Sequence, residues 1–454
     1  MHQSQAMERY LGYVARNVPR YTSYPTAPHF TDEVDGDTCA AWLNEVAAGA
    51  TVSLYLHVPF CRAICSYCGC HTKAARRDDP IIAYAALLRR EIDLVLRHLG
   101  QGRQLVHIHW GGGTPSILPE SDFLALVEEI YRGFNCSPDI EHAIELDPRT
   151  ITPHLAKTLK GAGVNRVSLG MQDFNPQVQL AIGRWQPYEA VVEAVTRLDE
   201  AGLERISFDL MYGLPHQGER EITLNAARAA SLWPNRMAVF GYAHVPWLKS
   251  HQRRIDAAAL PGAAERLEQA ELTGRLLQGA GYEPVGLDHY ALPHDDLAVA
   301  AARRTLRRNF QGYTSDPADV LIGVGASAIG RLPQGFVQNA ADAGSWGRAI
   351  KADKLPTSRG RRLTGEDLLR GDIIEELMCF FHSDLDRACA RHGLGRETLG
   401  DCMPELEQLA RDGLVRLTDS HVHIPPASRS FTRVVAAAFD AYLEPAAGRH
   451  SAAV

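Results

Sequence analysis

Between residues 50 and 245, six short apolar, β-branched runs recur, each followed by a helix-like stretch. They are TVSLYLHV (51–58), LVHIHW (105–110), EHAIELD (141–147), RVSLGM (166–171), RISFDLMY (205–212) and MAVFGYA (237–243). Amphipathic segments such as YAALLRREIDLVLRHL (84–99) and DFLALVEEIYRGF (122–134) lie between them. Strands alternating with helices at this spacing predict βα units, and strands joined by helical crossovers run parallel. The expected fold class is therefore α/β, a partial (βα)6 barrel of parallel strands, with a small, mostly helical C-terminal domain. Function in such barrels gathers on the loops that follow the strands.

Those loops hold the unusual residues. After the first run comes HVPFCRAICSYCGC (57–70), with four of the chain's nine cysteines. Cys61, Cys65 and Cys68 are spaced C-x3-C-x2-C, and Cys70 follows. Zinc usually takes thiolates from two separated pairs, and no second pair exists here, although His57 and His71 flank the loop. A redox pair would need C-x-x-C at a helix start; Cys65 and Cys68 meet only the spacing. A closely spaced run suits an iron–sulfur cluster best, leaving zinc or unliganded thiols as alternatives. The later runs end in Gly111-Gly112-Gly113-Thr114-Pro115, in Glu145 and Asp147, in Gln172-Asp173, in Asp209 and in Ala243-His244.

A formal net charge of −7 argues against an extended nucleic-acid surface. No apolar run approaches the ~18–20 residues of a membrane span, and the N-terminal stretch lacks the apolar core of a secretory signal. The odd cysteine count and tight cluster fit a reducing cytoplasm. Without a coiled-coil seam, a monomer is the expected state. Beyond residue 245, LPGAAERLEQAELTGRLLQGAGY predicts a helix with a glycine stop. Two apolar patches then flank the basic stretch RRTLRRNFQGYTS, read as a solvated helix face or a carboxylate-neutralising cluster. Three parts are expected: residues 1–35 as a segment over the site, 36–360 as the catalytic domain and 361–454 as a winged-helix-like domain.

The C-x3-C-x2-C loop, with the aromatic Tyr67 before its third cysteine and GGGTP after the second run, resembles the radical S-adenosylmethionine superfamily. That resemblance implies that Cys61, Cys65 and Cys68 hold a 4Fe-4S cluster. Its open iron would bind S-adenosylmethionine, whose reductive cleavage gives a deoxyadenosyl radical. RYTSYPTAPHF, YLHVPFC, CxYCGC, HWGGGTPS, IELDPR, SLGMQDFN, FDLMYGLP, FGYAHVP, GLDHYALPHDDLA and RNFQGYT occur in order. Together they resemble the oxygen-independent coproporphyrinogen III oxidase family. The resemblance implies oxidative decarboxylation of two propionates of coproporphyrinogen III to give protoporphyrinogen IX, with an unidentified electron donor and acceptor.

It also implies two S-adenosylmethionine molecules. Tyr55, Gly112, Glu145 and Ile329 would contact the cluster-bound one; Tyr67, Gly113, Thr114, Gln172, Arg184, Asp209 and Ala243 would contact the second. Cys70 is the candidate catalytic residue, through substrate positioning or hydrogen-atom transfer. It and the RYTSYPT segment are typically absent from heme-binding, chaperone-like relatives, the main alternative beside anaerobic heme-degrading ones. The chain departs from the family pattern at Gly183, Ser315 and Phe380, and at Tyr67 where phenylalanine is frequent.

Overall fold

The computed structural model describes residue 10 and residues 12–443. The remaining residues of the expected N-terminal segment and of the expected C-terminal domain lie outside this range. The six runs all form strands: β1 (Thr51–Val58), β2 (Gln104–Gly112), β3 (Asn135–Leu146), β4 (Arg166–Gln172), β5 (Ile206–Tyr212) and β6 (Arg236–Gly241). They lie side by side in chain order, every neighbouring pair parallel.

β1 is largely buried on both faces: Val52, Leu54, Leu56 and Val58, all inaccessible to solvent, share one, and Ser53 and His57 lie on the other. The run therefore alternates apolar with polar residues, because Tyr55 and His57 on the second face line a cavity. Helix α1 (Asp79–Leu99) supplies part of the cover, burying Ile81, Tyr84, Leu88, Ile92, Val95 and Leu99. These positions recur three or four residues apart, which puts them on one helix face.

The sheet extends past the six strands on both sides. A short antiparallel pair, β7 (Glu283–Val285) and β8 (His289–Ala291), continues it beyond β6. On the other side β9 (Val320–Val324) runs parallel to β1, and β10 (Ile329–Leu332), β11 (Gly335–Asn339) and β12 (Thr357–Arg362) follow antiparallel. The partial barrel thus has seven parallel strands rather than six. Among the described residues β6 and β9 do not pair, so the barrel stays open.

The C-terminal region is mostly helical, with a three-stranded sheet (His382–Asp384, Arg416–Leu417, His421–His423). Its principal helix, Gly365–Phe380, starts at a capping box: Thr364 Oγ1 accepts from the Asp367 N–H, and the Asp367 carboxylate accepts from the Thr364 N–H. The N-terminal segment joins this second core, where Val14, Val18, Tyr21 and Tyr24 pack with Leu369, Ile373 and Leu377. The basic stretch is no helix face: Arg307–Asn309 forms a strand of a small hairpin, and the Arg308 guanidinium lies over the Tyr313 ring. No helix among the described residues is long and apolar enough to cross a membrane.

Candidate functional site

All six strands end on one rim, around a cavity of about 1030 Å3. Cys61, Cys65, Cys68, Cys70, Tyr67, Gly112, Gly113, Thr114, Glu145, Gln172, Arg184, Asp209 and Ala243 line it. A second cavity of about 460 Å3 lies against it, sharing Cys70, Glu145, Ser168, Asp209 and Phe240. Tyr55 and Ile329 face this inner one. Every residue that the resemblance assigns to the cluster, to S-adenosylmethionine or to catalysis therefore lines one of two adjoining cavities.

The thiol loop is held mainly by its own carbonyls. His251 donates to the Cys68 carbonyl at 2.7 Å, Gln252 to that of Tyr67 at 3.0 Å and Lys249 to that of Cys70 at 2.9 Å. The backbone N–H of Ser66 reaches the Ile182 carbonyl at 2.8 Å. Holding the loop by its backbone leaves its sulfur atoms free to face the cavity. His57 is no metal ligand here: its Nε2–H donates to the His71 carbonyl at 2.9 Å, so Nδ1 accepts from Tyr55 Oη at 2.9 Å. Burial holds its pKa below the usual imidazole value, which keeps this tautomer neutral.

Cys61, Cys65 and Cys68 each have a polar neighbour. Thr114 and Thr72 bring their hydroxyls to Cys61 Sγ at 3.4 and 3.5 Å. Arg184 donates to Cys65 Sγ at 3.6 Å. The thiols of Cys68 and Cys70 interact, which lowers Cys68 to about 6 and pushes Cys70 well above the ordinary thiol value.

The glycines after β2 are demanded by this loop. Gly112 has φ +109°, and a Cβ there would sit 2.6 Å from the His57 ring. A Cβ on Gly113 would meet the Phe60 carbonyl oxygen at 2.4 Å. The atoms these glycines clear belong to His57 and Phe60, residues beside the cysteines.

The remaining rim residues come from the other strand ends. Glu145 ends β3, accepting from the Gly112 N–H at 3.3 Å and lying 3.2 Å from His109 Nε2. Arg149 pairs not with Glu145 but with Asp147, two guanidinium nitrogens reaching its two oxygens at 2.9 and 2.5 Å. Arg184 is buried, held by the Gly170 carbonyl at 2.9 Å and by Gln186 at 3.2 Å, with Asp147 at 3.5 Å. At the end of β4 the register shifts between Gly170 and Gln172, and Gln172 takes φ +55°. A bulge of this kind re-aims a side chain at a sheet rim. Asp209 accepts from Ser168 Oγ at 3.3 Å; burial, with Glu145 nearby, pushes its carboxyl up to about 7.

Two observations test whether a cluster and S-adenosylmethionine suit these residues. Gln172 Oε1 is buried in the cavity lining without a hydrogen-bond partner, a deficit that a bound donor would fill. Among the described residues no three His, Cys, Asp or Glu side chains converge as one metal ion needs. A cubane gives each of three thiolates a separate iron, so cysteines spread along one loop fit it. The residues that position the loop from outside it, Lys249, His251 and Gln252, were missed in the sequence. They stand after the sixth strand, so the rule that loops after strands carry function applied to them as well.

Residues 55–225 match the family model of the Radical SAM superfamily, the class that the open parallel barrel and its thiol loop define. Oxygen-independent coproporphyrinogen III oxidase from Bradyrhizobium diazoefficiens is 49% identical, the match covering 98% of this chain and 99% of that one. Its counterpart in Paracoccus denitrificans is 40% identical over the whole of both chains. The solved coproporphyrinogen III oxidase of Escherichia coli, described as a radical SAM enzyme, superposes with a TM-score of 0.89 at 32% identity, covering 94% of this chain and 100% of that one. The chain belongs to the oxygen-independent coproporphyrinogen III oxidase family.

Proposed function

We infer that this chain decarboxylates coproporphyrinogen III oxidatively without oxygen, turning two propionates into the vinyl groups of protoporphyrinogen IX in heme biosynthesis. The observation that carries the reading is the gathering of four loop cysteines and all six strand ends on one cavity, in a chain matched end to end by relatives of that name.

Cys61, Cys65 and Cys68 hold a 4Fe-4S cluster. With S-adenosylmethionine bound, such a cluster would supply the radical chemistry that removes a hydrogen atom from a propionate β-carbon. Carbon dioxide then leaves as the C–C bond breaks, and one electron passes to an external acceptor, an external donor having supplied the first. Tyr55, Gly112, Glu145 and Ile329 contact the cluster-bound S-adenosylmethionine, Glu145 offering a carboxylate to its ammonium. Tyr67, Gly113, Thr114, Gln172, Arg184, Asp209 and Ala243 contact a second molecule. In that site Gln172 Oε1 and the Asp209 carboxyl act as acceptors. Arg184 anchors the strand ends and the Cys65 sulfur together. Cys70, solvent-exposed, stands beside the cluster thiols as the candidate catalytic residue. The protein works as a cytoplasmic monomer, with residues 36–360 as its catalytic domain, 1–35 as a segment over the site and 361–454 as an appended domain.

Anaerobically reconstituted protein, given reductant, S-adenosylmethionine and coproporphyrinogen III, is expected to release protoporphyrinogen IX and carbon dioxide. Stoichiometric heme binding without decarboxylation would sink the reading. Cys70→Ala should keep the brown cluster absorbance and lose turnover; full activity would remove Cys70 from the chemistry.

A further inference from the structure

Beside the thiol cavity lies a third, of about 500 Å3, whose lining is dominated by arginine. Arg20, Arg266, Arg275, Arg308, Arg429 and Arg433 face it, against only Glu271 and Asp288. Its volume is ordinary for a small-molecule site, roughly 300–1,000 Å3. Its charge is not ordinary, because buried cations are normally matched by acids.

Backbone carbonyls hold Arg20, Arg266, Arg308 and Arg433, and a carbonyl carries no net charge. Asp288 is engaged by His289, 2.7 Å away, and is also drawn by Arg308 and Arg20; burial opposes its charge, but these neighbours prevail and hold the carboxyl at about 2, one acid among several guanidiniums. Arg308 donates to the carbonyls of Tyr21 and Arg20 at 3.3 and 3.2 Å, yet its Nη1 is buried with no hydrogen-bond partner. Arg429 lies over the Phe381 ring at 4.3 Å, and its Nε is likewise buried without a hydrogen-bond partner. Burial, with Arg20 nearby, lowers the Arg433 guanidinium to about 9. Two orphaned guanidinium nitrogens in one lining are what an absent anion leaves behind.

The cavity also has a definite address. Arg20 and Gly241 line both it and the thiol cavity, and Arg20 donates to the Gly241 carbonyl at 2.9 Å. Gly241 is the last residue of β6, on the reactive rim. A molecule reaching across this boundary would place one part among arginines and another beside the cysteines.

We propose that the arginine-lined cavity is the carboxylate subsite of the enzyme: it seats propionates of the tetrapyrrole that are not reacting and so aims a reacting one at the thiol cavity. This rests on the decarboxylase reading above. The substrate carries four propionates and loses two carboxylates, so two acidic arms persist through both turnovers and can serve as handles. Guanidinium groups recognise carboxylates with charge-assisted, often paired hydrogen bonds. The subsite draws on the N-terminal segment, the barrel and the C-terminal region together, which gives the two appendages a direct part in substrate selection.

Steady-state kinetics on the full-length, cluster-loaded protein test this. Arg308→Gln and Arg429→Gln should each raise the KM for coproporphyrinogen III by about tenfold or more, with a much smaller change in kcat. Arg308→Lys should recover part of the loss. Arg275 has a side chain 66% exposed at the rim, so Arg275→Glu folds whatever the buried variants do, and should raise KM severalfold. An unchanged KM in Arg275→Glu and in every cluster-loaded buried variant overturns the subsite while leaving the decarboxylase reading intact. Should the parent protein form no protoporphyrinogen IX, that reading fails instead, and fluorescence titration with coproporphyrin III and its tetramethyl ester examines the cavity alone. Tight binding of the free acid, lost in the ester and weakened by Arg308→Gln, supports the subsite; equal binding of acid and ester overturns it.

Discussion

The rim of the barrel and the floor of its inner cavity are both crowded with polar side chains, yet they are built on opposite plans. On the floor, charges are matched within the fold. His107 lies between Asp316 at 3.3 Å and Glu141 at 3.4 Å. Arg166 reaches Glu141 at 2.9 Å and Asp295 at 3.4 Å, and Arg236 reaches Asp295 at 2.5 Å. At the rim, by contrast, thiols point into a cavity and Gln172 keeps an unanswered oxygen. Matched charges in a buried network brace a fold; unmatched groups around a cavity await a ligand. Single unpartnered atoms occur in both, His107 Nε2 and Arg236 Nη2 on the floor included; what marks the floor as scaffold is that its charges face opposite charges within the fold.

Mutations at the two places should fail differently. Cys61→Ala is expected to abolish both the brown absorbance and all turnover, with thermal unfolding otherwise near that of the cluster-free parent; persistence of the absorbance would refute the ligand assignment. Arg184→Ala removes the guanidinium that ties Gly170 to Cys65, and misplacement of reacting groups on this scale costs roughly a hundredfold in kcat. Its cluster content should survive, as iron and sulfide analysis would report. Arg166→Ala, at the floor, should act through stability: removing one partner of a buried pair costs about 3–5 kcal/mol, read as a lower denaturation midpoint.

The smallest effect is a pH slope. Burial opposes the charge on His107, but Asp316 and Glu141 overrule it and raise its pKa to about 9 from 6.5. A group whose pKa is raised by folding stabilises fully below its unfolded value and stops doing so as pH climbs through the folded one. The His107 contribution should therefore be complete below pH 6.5 and lost by about pH 9. His107→Gln should flatten that part of the stability curve, and an unchanged slope would show that the imidazole is not charged in the fold.

This contrast also explains what could be read in advance. The strand runs and their order were legible because each is a short stretch rich in β-branched and apolar residues set between helix-like segments. β1 was placed to the residue, whereas β3 begins six residues ahead of its apolar core, in the polar stretch Asn135–Ile140. The cysteines were legible because a cluster loop draws its ligands from one short segment. β9 was hidden, since VLIGV pairs with a strand more than 260 residues earlier and no local period announces it. The floor network was invisible for the same reason: Arg166 and Asp295 are separated by 129 residues and have no motif in common. Arg308 was noticed as part of a basic run that read equally as a solvated helix face or a carboxylate-neutralising cluster, because nothing in the run reports its burial against Tyr313.

The clasp between the chain's two ends carries a consequence in time. Arg433 donates to the Pro19 carbonyl, 414 residues away, and Tyr21 Oη to the Asp440 carboxylate at 3.0 Å. The segment bearing Arg20 is thus made early in synthesis but waits for its packing partners until nearly the whole chain has left the ribosome. Until then the strand ends can be in place while the wall beside them is not.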